Sequence, residues 1–225
     1  GKLEAIPYHK YYAKYLVPIA GKIEKAANIC TNKSFQTYLR ARAKSLLDGS
    51  CDEADIAWLN VKSSKIDFNI GHFNGYLDKE VFLKQTYQAH AGIVDKVLTD
   101  QAEKAKEALY TSAKISYGKY HSTDIPRKGV QVLVEQTLTT TGYLAQALLA
   151  GDHFPPDLSI MRQYGAKIII YASQLELKFE KLHYPIFKVI FEKNFAAKYS
   201  KELLLKATGW YILLYELTRQ LHKFE

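Results

Sequence analysis

The chain has 225 residues, of which 48% are apolar and 24% charged, with a net charge of +8 at pH 7; these proportions exclude a disordered, collagen-like or low-complexity polymer. A chain of this length buries about 70% of its unfolded surface as one domain or two small lobes, so it needs no disulfide staples. Lys and Arg alternate with Asp and Glu throughout, without a run of five like charges, a zinc knuckle or an aromatic RNA-binding signature, so the excess charge reads as solvated helix faces and nucleic acid is not an expected partner.

From Tyr8 to Cys30 apolar side chains recur at helical spacing through Tyr11, Tyr12, Tyr15, Leu16, Ile19, Ile23, Ala26 and Ala27, a stripe that continues past a potential kink at Pro18. Ser34 is placed to cap a second helix whose inner face carries Phe35, Tyr38, Leu39, Ala43, Leu46 and Leu47, with Gly49 as its stop. Ile66, Phe68 and Ile70 then alternate with polar residues before Gly71, the period of a half-buried strand. A loop through Gly75 leads into residues 79–110, whose spacing through Val81, Phe82, Thr86, His90, Ile93, Val97 and Leu98 predicts one long helix or two.

Tyr117 to Arg127 reads as a loop, Val130, Val132 and Val134 as a second strand, and Thr137 to Tyr143 as an extension of a small sheet. Gly151 to Pro156 carries the Gly and Pro-Pro content of a turn. Two helices close the chain, Gln174 to Lys193 interrupted at Pro185, and Ser200 to His222. The fold class expected is α+β, predominantly α-helical with a small β-sheet. Cys30 and Cys51 bracket the second helix and fall too far apart for a disulfide. Free thiols, the absence of any apolar run near the ~20 residues of a membrane span and the absence of a visible signal peptide together point to a cytoplasmic chain without a membrane partner.

Several short motifs in order resemble the dipeptidyl-peptidase III-like zinc metallopeptidases. Ile6-Pro7-Tyr8-His9 before a Tyr-rich helix, Asp55-Ile56-Ala57-Trp58, and Lys65-Ile66-Asp67 leading to Ile70-Gly71 resemble the opening of the family's catalytic region. The family's Gly-x-x-Glu-Thr-Tyr motif reads here Gly71-His72-Phe73-Asn74-Gly75-Tyr76. Phe154-Pro155-Pro156-Asp157, Met161-Arg162, Gly165-Ala166-Lys167, Lys178-Phe179 and Pro185-Ile186 follow at family-like spacing. The resemblance implies one peptidase-like domain over residues 1–225, or two small lobes: a helical one from 1–64 with 174–225, and a mixed one from 65–173.

Where the family carries its zinc-binding His-Glu-x-x-His, this chain reads Tyr215-Glu216-Leu217-Thr218-Arg219. Zinc needs lone pairs from imidazole, thiolate or carboxylate, with residues i and i+4 on one helix face. A phenol is a poor ligand at neutral pH, and an arginine is a permanent cation. The family's further glutamate ligand lies past the motif and is not supplied before Glu225. Asn74 stands where the family has the glutamate that engages a peptide's free amine, whereas Tyr76 matches.

The expectation is therefore no bound metal or cofactor, and a pseudoenzyme holding a small molecule or peptide in a relic Tyr-rich cleft lined by His72, Asn74, Tyr76, Tyr215 and Arg219. The alternative is a metal-independent isomerase or cyclase using Tyr76, His72 or Glu216 for acid and base work. The plain counterparts are a loop at His72 to Tyr76 that satisfies its own backbone and a Glu216 and Arg219 pair on a helix face. Asp67 reads as a strand-edge charge. His90, His121, His153 and His183 have no partner at metal-ligand spacing along the chain and read as surface or core histidines. The oligomeric state is left open.

Overall fold

The computed structural model describes residues 4–72, 86–117, 129–142, 145, 149–191 and 199–222. The chain divides into two units, residues 1–64 and 65–225.

The first unit is helical: α1 (Tyr8–Tyr11), α2 (Ala13–Ile29), α3 (Lys33–Asp48) and α4 (Asp52–Leu59). Leu16, Ala20, Ile23 and Ala27 form the buried stripe of α2, which runs on through Pro18. They face Phe35, Tyr38, Leu39, Ala43 and Leu46 of α3. The cap of α3 lies two residues earlier than its Ser34 predicts. Asn32 accepts from the Phe35 amide at 3.0 Å, and the Ser34 hydroxyl donates to the same Asn32 oxygen at 2.8 Å. Gly49 ends α3 in the left-handed region at φ 80°, where an added Cβ would meet the His9 ring at 2.3 Å. The buried Arg42 of α3 pairs with Asp55 of α4, which ties the two helices together. Cys30 and Cys51 are both free, as their separation requires.

The second unit holds a five-stranded sheet in the order β1-β2-β3-β5-β4. Its strands are β1 (Ile66–His72), β2 (Tyr87–Val94), β3 (Val130–Thr141), β4 (Gly151–Phe154) and β5 (Ala166–Tyr171). Among the described residues only β3 and β5 pair in parallel. Two segments depart from the sequence reading. Residues 87–94 form a strand and not a helix, because antiparallel pairing of Asp67 with Gly92 and of Asn69 with His90 supplies a partner that local spacing cannot reveal. Gly151–Phe154 pairs with β5 instead of forming only a turn, and the peptide before Pro155 is cis.

Helix α5 (Lys96–Tyr117) starts where β2 ends, with the Leu98 amide donating to Asp95. The helix also completes the free edge of β3 beyond the reach of β2. The Val132 amide donates to Glu103, the Val134 amide donates to Thr99 at 3.0 Å, and Lys106 donates to the Val130 carbonyl at 2.7 Å. These bonds satisfy backbone groups that would otherwise be buried unpaired. The remaining helices are α6 (Leu158–Tyr164), α7 (Ala172–Lys178), α8 (Tyr184–Phe191) and α9 (Lys201–His222). A π-helical turn, Phe179–His183, joins α7 to α8. Pro185 lies two residues past its end; with no amide hydrogen and a ring that crowds the preceding turn, proline favours such widening. Among the described residues no helix is long and apolar enough to cross a membrane.

The sheet has two unlike faces. One carries Val130, Val132, Val134, Ile168 and Ile170, packed with Ala105 of α5, Leu175 of α7 and Leu213 of α9. Each such buried aliphatic side chain contributes about 1.5–3 kcal/mol to folding. The other face carries Asp67, Asn69, Gln88, His90, Glu135 and Lys167, all buried. His90 and Phe154 stack at 6.2 Å although β3 and β5 lie between their strands. The sheet therefore curls with its polar face inside.

Candidate functional site

The polar face converges on a gap at Gly92. Strand register sets Gly92 between Asp67 of β1 and Thr137 of β3, with a bulge beside it. Glu135 lies two residues from Thr137 on the same face, and its carboxylate fills the space that a side chain at 92 would take. An added Cβ there would lie 2.5–2.7 Å from the Glu135 carboxyl atoms. His90, two residues before Gly92, holds its Nε2 at 2.8 Å from Asp67 Oδ2. One donor atom from each of Asp67, His90 and Glu135 lies within 4.8 Å of the others. Tyr171, paired with Glu135 across β3 and β5, sets its ring edge-on to His90 at 5.5 Å between centroids.

The hydrogen bonding here is incomplete. Neither Glu135 carboxylate oxygen nor the Tyr171 hydroxyl has a hydrogen-bond partner among the described residues, although both residues are fully buried. An unpaired buried carboxylate is costly, so its proton affinity responds. Burial pushes the Glu135 carboxyl up to about 8, and the nearby Asp67 adds to the rise while His90 opposes it. Burial alone would lower His90, but the hydrogen bond and charge of Asp67 outweigh it and raise the imidazole. Burial lowers the Lys167 ammonium against the opposing pull of Asp67, and raises the Tyr171 phenol, with Asp152 and Glu135 adding to the rise.

Asp67 is thus a buried group and not a strand-edge charge, and His90, read as a surface or core histidine, lies in the core with Asp67 as its partner. They sit 23 positions apart in sequence, and the hairpin register joins them. The available signal was a period-two run of buried polar or glycine positions on each strand, Asp67, Asn69 and Gly71 facing Gln88, His90 and Gly92.

The residues predicted from the motifs are placed differently. His72 ends β1, half-buried against the Tyr87 ring at 5.5 Å. Asn74 and Tyr76 lie outside the described residues. On α9, Tyr215 is half-exposed and stacked on Tyr211, and of Arg219 only the helical backbone is described. Glu216 points inward, 3% exposed, with Oε2 at 3.4 Å from Nδ1 of the buried His153 on β4. The fold therefore brings together Glu216 and His153, a pair absent from the sequence reading. It sets β1, which carries His72, and β4 on opposite edges of the sheet.

A groove of about 290 Å³ opens along α9 over the aliphatic face. Leu98 and Ala102 of α5, Leu175 of α7, and Leu205, Trp210 and Leu213 of α9 line it, with Glu176, Glu202 and Lys206 adding polar groups.

No family model matches the chain. It is similar to the structure of dipeptidyl-peptidase III from Caldithrix abyssi, with 28% identity and a TM-score of 0.76 over 84% of this chain and 36% of that one. It also shares its fold with dipeptidyl-peptidase III from Corallococcus sp. strain EGB, at 21% identity and a TM-score of 0.71, over 84% of this chain and 35% of that one. Among curated proteins it is 25% identical over 199 residues to Nudix hydrolase 3 of Arabidopsis thaliana, covering 85% of this chain and 25% of that protein. The chain is dipeptidyl-peptidase III-like, and it spans about a quarter to a third of the length of these relatives.

Zinc, which the likeness implies, fits poorly on α9. Positions 215 and 219 offer a phenol and a guanidinium, and the Glu216 carboxylate is turned toward His153. A guanidinium has no lone pair to give, and its charge repels a cation.

Proposed function

We propose that this chain is a peptidase-like binding protein without zinc-peptidase chemistry, in which α9 is the counterpart of the family's zinc-binding helix and has become the wall of a ligand groove. The observation that carries this reading is the position of Glu216. A general base in a zinc peptidase must face the metal-bound water; here the carboxylate is buried against His153. Tyr215 is turned outward on the same helix. Leu205, Trp210 and Leu213, also of α9, face the groove instead.

The groove's chemistry favours a small apolar molecule or a short apolar peptide. Its volume suits a compact ligand, and a few charged groups beside an aliphatic floor give orientation. The isomerase or cyclase alternative assigns acid and base work to Tyr76, His72 or Glu216, and Glu216 does not line the groove.

Two measurements test the reading. Titration with 1-anilinonaphthalene-8-sulfonate and with apolar dipeptides should give saturable changes in Trp210 emission. Ala102→Phe, which fills the groove, should abolish them. Dipeptidyl naphthylamide substrates should remain uncleaved with added Zn²⁺. Hydrolysis that depends on both zinc and Glu216 would sink the proposal.

A further inference from the structure

We infer that Asp67, His90 and Glu135 form a binding site for a divalent transition-metal cation, with the Tyr171 ring against His90, inside the curled sheet and separate from the α9 helix. Each of three strands contributes one donor residue: Asp67 from β1, His90 from β2 and Glu135 from β3. Two atoms bound to one such ion at about 2.0–2.2 Å lie at most about 4.4 Å apart. Tetrahedral neighbours lie about 3.3–3.6 Å apart, so donor atoms within 4.8 Å of one another close onto an ion with shifts of up to about 0.7 Å each. Asp67 Oδ2 and His90 Nε2, hydrogen-bonded at 2.8 Å, would exchange their shared proton for the ion and part by about 0.5–0.8 Å to become neighbouring ligands.

Charge points the same way. Two buried acids, Asp67 and Glu135, share this face with the His90 imidazole and the Lys167 ammonium, and both Glu135 oxygens are without a hydrogen-bond partner among the described residues. A divalent cation would displace the Glu135 proton and occupy its unused lone pairs. The Tyr171 hydroxyl is an independent sign. It is fully buried and also lacks a hydrogen-bond partner among the described residues, while its ring abuts His90. Gly92 keeps the space open, since any side chain there would displace the Glu135 carboxylate. One imidazole with two carboxylates suits Zn²⁺ or Mn²⁺, and not Ca²⁺, which takes six to eight oxygens.

The cluster is closed to solvent, so loading is tested during folding as well as afterwards. The full chain, unfolded in EDTA, is refolded with Zn²⁺ or Mn²⁺ and then dialysed, and bound metal is measured by elemental analysis. One equivalent is expected, together with a rise in the unfolding temperature. Removing an outer partner of a metal site costs about 10- to 100-fold in affinity. Glu135→Gln and Asp67→Asn, which remove ligands, should lose at least that much. Glu216→Gln should bind like the unaltered chain. In the Co²⁺-loaded protein, visible absorption bands should appear and vanish in Glu135→Gln. No retained cation after refolding, or equal retention by Glu135→Gln, overturns the site. Loss of the metal in Glu216→Gln with retention in Glu135→Gln overturns both this site and the reading of α9.

Discussion

The two units each bury charged groups, and they treat them in opposite ways. In residues 1–64 the buried cation Arg42 meets the buried anion Asp55 one helix away. Burial works against the guanidinium, but Tyr38 and Asp55 outweigh it and hold it firmly charged. In residues 65–225 two carboxylates and an imidazole are gathered on one sheet face, and Glu135 is left without a hydrogen bond among the described residues. A matched pair fixes how two helices meet, because each buried charge has an opposite charge within reach. An unmatched cluster costs stability, and sites that bear such costs are commonly ones that bind or react.

The contrast can be broken most forcefully at Asp55. Asp55→Ala leaves a buried guanidinium without its counter-ion, and such losses cost about 3–5 kcal/mol. Urea unfolding should report a loss of that order; a change below about 1 kcal/mol would mean that the pair does not hold α3 to α4.

Next in size is Gly92→Ala. Its Cβ would press on the Glu135 carboxylate, and overpacking of this kind costs about 1–3 kcal/mol. Combining it with Glu135→Ala should recover much of the loss, so a double-mutant cycle with strong coupling is expected. Additive effects would show that the two sites do not touch.

A third test uses pH on metal-free protein. The Glu135 carboxyl is raised to about 8 from an ordinary 4.5, so folding takes up a proton between those values. Its contribution to stability is fully present below the unfolded pKa and is lost as pH rises through the folded one. Glu135→Gln removes that loss. At pH 9 the variant should exceed the unaltered chain by on the order of 1–2 kcal/mol, with the gap closing toward pH 5. Parallel stability curves would place Glu135 in contact with water.

The smallest effect belongs to a pair with good geometry and no burial. Lys44 and Glu53 lie 2.7 Å apart with both side chains mostly exposed, and pairs of this kind contribute little in water. Lys44→Ala should leave the unfolding midpoint unchanged within error. A clear shift would show that burial is not what separates the pairs in this chain.

The amino-acid sequence by itself determined the elements whose signals are local. Helical spacing located α2, α3 and α9, Gly49 marked the end of α3, and alternation located β1 and the start of β3. The motif order also pointed to the dipeptidyl-peptidase III-like fold that the solved structures share. Only the tertiary structure decided the rest. Residues 87–94 become a strand because β1 and β3 offer hydrogen bonds on both sides. The Asp67, His90 and Glu135 cluster spans 68 positions and is assembled by strand register. Glu216 turns inward because His153 waits on β4, 63 residues away. Helix and strand periodicities arise from neighbours a few residues apart, whereas buried charges find their partners through pairing between distant strands, which no local pattern encodes.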